Sequence, residues 1–332
     1  MREKTMEPLV SVIIPCYNAE KFVDKGLRSI YEQEYSCVEI IVINDGSTDK
    51  SEEIILNWKE RFKEKGFTLK YRYQENKGQA YATEVALGLV DGKYITLLDA
   101  DDYFLPGSIR KRAMFLELHP DYAAVRSNGW MERGQSRELF ITKEKEKNIK
   151  DLFTALIFGE TNNWAGTYML RADILFETYP ERKIYTSRYG QNIQLLLPVA
   201  YKRRFGYIDE PLMVYVLHEN SHSQAISLDK QFQKEEKNAW GYRDIYIHML
   251  DIIIKEPENY KKYRNAFDAS FFRCAMLRAM KFEKIELMDK YYSELLSTGL
   301  ASLDDKIQYY DKKKSLFVLL LKIVRKFNKL VG

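Results

Sequence analysis

Asp99, Asp101 and Asp102 fall within four consecutive positions of Leu98-Asp99-Ala100-Asp101-Asp102, at the end of an apolar run. Three carboxylates this close repel one another unless a cation lies among them. A magnesium or manganese ion suits the task, since one or two carboxylates hold it and it neutralises a diphosphate leaving group. In a strand, residues i and i+2 share a face, so Asp99 and Asp101 look into the same space if the extended conformation continues through them. The competing structural reading is an acidic surface turn that caps the next helix.

The elements that must position these acids alternate between short β-branched runs and longer stretches of helical period, the pattern of a parallel α/β sheet. Residues 9–14 read as a first strand, ending at Pro15-Cys16-Tyr17-Asn18. Phe22, Val23, Leu27 and Ile30 then recur at helical spacing, with Asn18 as the expected N-cap. Residues 38–43 form a second strand running into Asn44-Asp45-Gly46-Ser47-Thr48-Asp49, and Asp49 with Glu52 reads as a capping pair for the following helix. Residues 68–73 make a weaker, edge strand. Asn76-Lys77-Gly78 turns the chain into a helix of small residues, and Asp91-Gly92 reverses it into the strand at 94–98. Open α/β sheets bind ligands beyond the carboxyl ends of their strands, so these segments are expected to converge on one crevice. A dinucleotide-dependent oxidoreductase shares the pattern but needs a Gly-x-Gly-x-x-Gly turn, which Pro15-Cys16-Tyr17-Asn18 does not supply.

Pro15-Cys16-Tyr17-Asn18, Ile43-Asn44-Asp45-Gly46-Ser47-Thr48-Asp49, Asn76-Lys77-Gly78 and Leu98-Asp99-Ala100-Asp101-Asp102 stand in the order and spacing of family 2 glycosyltransferases. The sequence resembles that family over about residues 8–225, and its later part resembles bacterial members that build cell-surface polysaccharides. The resemblance implies a GT-A fold and inverting transfer from a nucleoside diphosphate sugar, a UDP-sugar, to a hydroxyl of a glycan or lipid-linked glycan. It implies that Asp45 contacts the nucleobase, that Pro15, Tyr17, Asn18 and Lys77 border the nucleoside, and that Asp99 lies near the ribose. Asp101, with Asp99, would hold Mn2+ or Mg2+, and Asp102 would lie close to the sugar. Trp164-Ala165-Gly166-Thr167 resembles the glycine-bearing segment beside donor sugar and acceptor, and His218 resembles the histidine that completes the metal or diphosphate site. Read from the residues alone, Asp45 and Tyr17 have a rival role in capping and packing, Trp164 in a buried turn, and His218 in structure.

Two departures matter. At Tyr189-Gly190-Gln191-Asn192 inverting members carry an acid that deprotonates the acceptor, and here both side chains are amides, which do not accept a proton near neutral pH. General-base help is worth about 10²–10⁴-fold, and electrostatic stabilisation is often the larger effect, so activity is still expected. Asp102, Glu160 or Asp209 stands as a substitute base, with Gln191 and Asn192 orienting the acceptor. Thr83-Glu84 also replaces the Arg-Asn of many members. The alternative reading is a catalytically weak, sugar-nucleotide or glycan-binding member of the same fold.

Composition fits a folded protein, with 45% apolar and 30% charged residues. A net charge of +4 over 332 residues, with both signs interspersed, argues against nucleic acid as a partner. Three scattered cysteines suggest a reducing, cytoplasmic setting, and neither a signal peptide nor a membrane span is expected. The expected organisation is a catalytic domain over 1–229, with a nucleotide-binding half at about 8–105 and an acceptor half at about 106–229, followed by a helical region over 230–332. That region ends in a basic amphipathic segment: Lys322, Arg325, Lys326 and Lys329 share one face, and Leu316, Leu320, Ile323, Phe327 and Leu330 the other. Such a helix at 313–332 suits the inner face of an anionic membrane, or packing on its own domain or another subunit.

Overall fold

The computed structural model of the chain describes residues 7–161, 164–187, 189–217, 227–314 and 322. It divides into two compact units, Met1–Ser223 and Gln224–Gly332.

The first unit is built on a nine-stranded sheet: β1 Val10–Cys16, β2 Val38–Asp45, β3 Thr68–Gln74, β4 Tyr94–Leu97, β5 Tyr103–Phe104, β6 Tyr122–Arg133, β7 Ser136–Leu139, β8 Tyr168–Arg171 and β9 Arg204–Val216. Their order is β3-β2-β1-β4-β8-β6-β9-β5, with β7 hairpinned onto β6. β3, β2, β1 and β4 run parallel, β8 lies antiparallel between β4 and β6, and β9 returns parallel to β6. Both β1 and β2 are buried along their whole length, as expected of strands covered on both faces. β3, at the edge, is half exposed. One apolar layer gathers Val12, Ile14, Ile40 and Val42 from the sheet with Leu27, Ile30, Trp58 and Phe62 from the flanking helices. Each fully buried aliphatic side chain contributes about 1.5–3 kcal/mol relative to exposure, which makes these central strands the rigid part of the unit.

β6 is the longest departure from the expected pattern. Its Arg126, Ser127, Asn128 and Gly129 break any apolar run, yet residues 123–129 are buried because the strand lies between β8 and β9. The polar side chains are accommodated by bonds, among them Asn128 Nδ2 to the Ile141 carbonyl at 2.9 Å.

The second unit holds helices Leu228–Ile253, Pro257–Lys281, Ile285–Ser297 and Leu303–Lys312. The first of these starts twelve residues before the aromatic segment that begins at Trp240, because Ser227 Oγ accepts from Lys230 N and because Glu236, polar on sequence, is drawn inward. Burial pushes the Glu236 carboxyl up, but bonds from Tyr291, Trp240 and Arg278 outweigh it and leave the group below the usual range. The last helix opens on a capping box: Ser302 Oγ accepts from Asp305 N at 3.1 Å and Asp305 Oδ2 accepts from Ser302 N at 2.8 Å. Arg273 Nε donates to the other carboxylate oxygen at 2.8 Å. Of the basic segment at 313–332 only Lys313, Lys314 and Lys322 are described, and Lys322 Nζ reaches Asp311 at 2.8 Å; the rest lies outside the described residues. Among the described residues no helix is long and apolar enough to cross a membrane.

Burial raises the Asp305 carboxyl, and Arg273 with Ser302 more than reverse this, so its pKa is held below the ordinary value. A depressed carboxylate pKa contributes stability that is present above the unfolded-state value, about 3.9, and is lost as pH falls through the folded one. Asp305→Asn is therefore expected to cost about 1–2 kcal/mol at pH 7, and the difference from wild type should shrink below about pH 4, read by urea titrations at each pH.

Candidate active site

The parallel register pairs Cys16 with Asn44 and Ile13 with Leu97, so β1, β2 and β4 end along one edge. The loops that follow β1 and β2 are laced together. Asn18, in the left-handed region at φ 47°, donates its N–H to Ser47 Oγ at 3.0 Å, and its Oδ1 accepts from Thr48 N at 2.8 Å. Ala19 N donates to Ser51 Oγ and Glu20 N to Asp49 Oδ2, at 2.8 and 3.0 Å. These bonds correct the capping expectation for Asn18, since the first helix starts at Val23 with no side-chain cap. Asp49 does both tasks: Oδ2 accepts from Glu20 N across the loops, and Oδ1 accepts from Ser51 N, the first residue of the second helix, at 3.0 Å.

Asp45 ends β2, nearly fully buried. Its carboxylate accepts from Gln74 Nε2 at 2.7 Å, Lys77 N at 2.9 Å and Gly78 N at 2.8 Å. It thus fixes the Asn76-Lys77-Gly78 turn, using three of the roughly four acceptor positions a carboxylate has. The turn lies so close that a β-carbon on Gly46, at φ 76°, would sit 2.7 Å from Asn76 N.

After β4, Leu98 N still donates to the Ile13 carbonyl at 2.9 Å, and then the extended conformation ends. Asp102 N donates back to the Asp99 carbonyl at 3.0 Å, closing a turn that sends the chain into β5 and onto β9. Asp99 and Asp101 both face the cleft, brought together by this turn rather than by strand alternation. Gln79 Nε2 donates to Asp99 Oδ1 at 2.6 Å. Burial, with Asp101 beside it, pushes the Asp99 carboxyl up to about 7. Asp102 points elsewhere: 1% exposed, it accepts from Val216 N of β9 at 2.9 Å through Oδ1. Its Oδ2 is buried with no hydrogen-bond partner among the described residues. Burial first, then Asp99 and Asp101, push its carboxyl well above the usual range.

These segments enclose a cleft of about 740 Å³, walled by Pro15, Tyr17, Asn18, Asp45, Asp99 and Asp101 among others. Tyr17 is half exposed over its mouth. Asn76, from the expected Asn76-Lys77-Gly78 turn, also lines it, as do Gln79, Phe22 and Tyr215, which were not anticipated from sequence. Gln79 had a signal, three residues after Asn76 at the start of the helix Gln79–Leu87; Tyr215 had none, since only β9 pairing brings it there. Lys77 contributes its main chain to Asp45, while its ammonium lies 4.7 Å from the centre of the Tyr81 ring. Gly166, at φ 77°, stands where a β-carbon would meet Met213 Cε at 2.8 Å, and its carbonyl accepts from the fully buried Arg112 at 2.8 Å. Gln191 opens the helix Gln191–Ala200, and Asn192 Oδ1 accepts from Tyr168 OH at 3.1 Å; neither lines the cleft. Asp209 is paired with Lys147 at 2.7 Å. His218 lies outside the described residues.

The acidic turn fits a hard divalent cation. The donors that face the cleft are the carboxylate oxygens of Asp99 and Asp101, and burial first, then the neighbouring carboxylates, raises the pKa values of Asp99 and Asp102. Among the described residues no three metal-ligating side chains converge.

The sequence profile of Glycosyl transferase family 2 matches residues 11–176, half of the chain. The chain belongs to glycosyl transferase family 2. An uncharacterized glycosyltransferase of Haemophilus influenzae is 27% identical to this glycosyltransferase over 337 residues, covering 97% of this chain and 98% of that protein. Uncharacterized glycosyltransferase RT0329 of Rickettsia typhi is 30% identical over 179 residues, covering 53% and 54%. Among solved structures, S. aureus TarS 1-349 in complex with UDP-GlcNAc superposes with a TM-score of 0.55 at 18% identity, over 87% of this chain and 91% of that one. Mannosyltransferase PcManGT from Pyrobaculum calidifontis, in complex with GDP-Man and Mn2+, gives 0.55 at 17% identity, over 97% and 88%. The fold of this family 2 enzyme is therefore GT-A, with its cleft at the carboxyl edge of the parallel strands.

Gly46→Ala tests the stitched edge. The new methyl would collide with Asn76 backbone and demand a left-handed alanine, which should cost about 1–3 kcal/mol. The expected result is a lower melting temperature together with weaker nucleotide binding by calorimetry.

Proposed function

We propose that the enzyme transfers a sugar from a nucleoside diphosphate sugar, a UDP-sugar, to a hydroxyl of a glycan or lipid-linked glycan, with inversion and with Mn2+ or Mg2+. The observation that carries this reading is the acidic turn, whose Asp99 and Asp101 face a cleft shared with Tyr17 and Asp45. The complexes of TarS with UDP-GlcNAc and of PcManGT with GDP-Man and Mn2+ support the donor class and the cation.

In this reading Asp101 and Asp99 hold the ion, which when bound supplies charge to the departing diphosphate. Gln79 keeps Asp99 oriented. Tyr17 and Pro15 offer a face for the nucleoside, and Asp45, with its remaining acceptor capacity, the edge of a base. Lys77 and Asn18 serve by shaping the loops around it. Asp102 ties the acidic turn to β9 and closes the floor of the site. Gly166, held by Arg112, borders donor sugar and acceptor, and Gln191 and Asn192 orient the acceptor through the Tyr168 side. His218, two residues after the end of β9 in the sequence, is proposed to complete the ion or diphosphate site. A role in surface polysaccharide synthesis, at the inner face of the cytoplasmic membrane through residues 313–332, follows from a lipid-linked acceptor and the basic amphipathic pattern of that segment.

Turnover of UDP-sugars with and without Mn2+ tests the chemistry. Asp101→Ala should reduce ion-dependent transfer by at least about 100-fold with an unchanged melting temperature, because its side chain faces the cleft rather than the core. Full activity in that variant would overturn the assignment. Membrane contact is tested by co-sedimentation with anionic liposomes, which deletion of residues 313–332 should abolish; undiminished binding contradicts it.

A further inference from the structure

The first unit carries a second recess, of about 500 Å³, bordered by Phe140, Lys143, Lys145, Glu160, Thr161 and Trp164. It shares a wall with the cleft. The Trp164 indole stacks on the Tyr215 ring, 5.5 Å between centroids and 7° from parallel, and Tyr215 lines the cleft that holds Asp99 and Asp101. Phe140 meets Trp164 edge-on at 3.9 Å, completing an aromatic wall. The rim is fixed from beneath, where buried Arg126 donates from Nη1 to Thr161 Oγ1 at 2.8 Å. Above it, Glu160, Lys143 and Lys145 are exposed and form no ion pair among the described residues. Their neighbour Lys147 differs, being paired with Glu144 and Asp209.

An aromatic wall facing a ring of hydrogen-bonding groups is the make-up of a site for a small polar molecule with one apolar face. A lipid tail would leave Glu160 and the lysines facing hydrocarbon, which is costly. A pyranose has both characters: C–H groups on one face and hydroxyls around its edge. With carboxylates and ammonium groups both present, the recess suits a neutral sugar. We infer that this recess binds a pyranose of the acceptor glycan, its C–H face against Phe140 and Trp164 and its hydroxyls hydrogen-bonded to Glu160 and Lys143. The inference rests on the transferase reading of the neighbouring cleft. It adds to that reading a recognition surface, with Trp164 and Glu160 as residues that select the acceptor.

The test uses the whole chain and a panel of methyl glycosides of glucose, galactose, mannose and N-acetylglucosamine, observed by saturation-transfer NMR at millimolar concentration. UDP with Mn2+ is followed in parallel by thermal shift. At least one glycoside should bind, with its affinity about tenfold weaker in Trp164→Ala and in Glu160→Gln, and with an intermediate loss in Trp164→Phe. The UDP response should be the same in wild type and Glu160→Gln. If Trp164→Ala perturbs the fold, Glu160→Gln decides, since that side chain is exposed and supports no packing. Equal glycoside affinity in wild type and Glu160→Gln, or no glycoside bound while UDP still shifts the melt, overturns the inference. Absence of any UDP response in wild type would instead sink the donor reading, and variant-sensitive glycoside binding would leave the recess standing.

Discussion

The ladder that β1 makes with β2 on one side and β4 on the other decides where the walls of the cleft stand. Two parallel registers bring Cys16, Asn44 and the residues after Leu97 to one edge, and the buried Val and Ile side chains of β1 and β2 make that edge hard to shift. A one-residue slip would exchange the side chains packed on the two covered faces of the sheet, so the packing fixes the register and the register fixes the cleft. The loops beyond the edge then have little freedom. Asn18, Asp49 and Ser51 bond across from one to the other, and Asp45 binds a third segment through the main chain of Lys77 and Gly78.

Against this rigid frame the acidic turn is the electrostatically costly element. Asp99 and Asp102 are both pushed towards their protonated forms, first by burial and then by neighbouring carboxylates, Asp101 for Asp99 and both others for Asp102, and one oxygen of Asp102 has no hydrogen-bond partner among the described residues. A fold that keeps Asp99 and Asp101 side by side at a cleft, with Asp102 buried behind them, invites a cation. Asp102 shows that the three are not equivalent. Its bond to Val216 makes it a tie between the acidic turn and β9, the strand that also brings Tyr215 to the cleft and to the aromatic wall. The cleft and the aromatic wall beside it are thereby joined through one strand.

What could be read from the sequence was the part whose pattern is local. The strands at 9–14, 38–43 and 94–98, the turns after them and the edge position of β3 follow from runs of Val and Ile punctuated by Asn, Asp and Gly. Pro15, Tyr17, Asn18, Asp45, Asp99 and Asp101 share the cleft for the same reason. β6 was invisible because its buried middle is Arg126, Ser127, Asn128 and Gly129, whose burial depends on partners distant in sequence. Asn18 looks like a helix cap locally and is taken by bonds between loops, whereas Asp49 makes such a bond and still accepts from Ser51 N at the start of its helix. Tyr215 and the Phe140–Trp164 pair gain their meaning only when β9 and the β6–β7 hairpin are packed side by side. The amides at Gln191 and Asn192 were legible as a departure, and the hydrogen bond from Tyr168 to Asn192 gives that departure a structural anchor.

The central claim is that the acidic turn holds a divalent ion against a nucleoside diphosphate. The most direct measurement is anomalous diffraction at the manganese edge from crystals grown with UDP and Mn2+. The account predicts one strong peak within coordination distance of the Asp101 carboxylate and a diphosphate oxygen, with the uridine beside Tyr17 and Asp45. A diphosphate bound in the cleft with no manganese at the acidic turn, or manganese found only elsewhere, would contradict it.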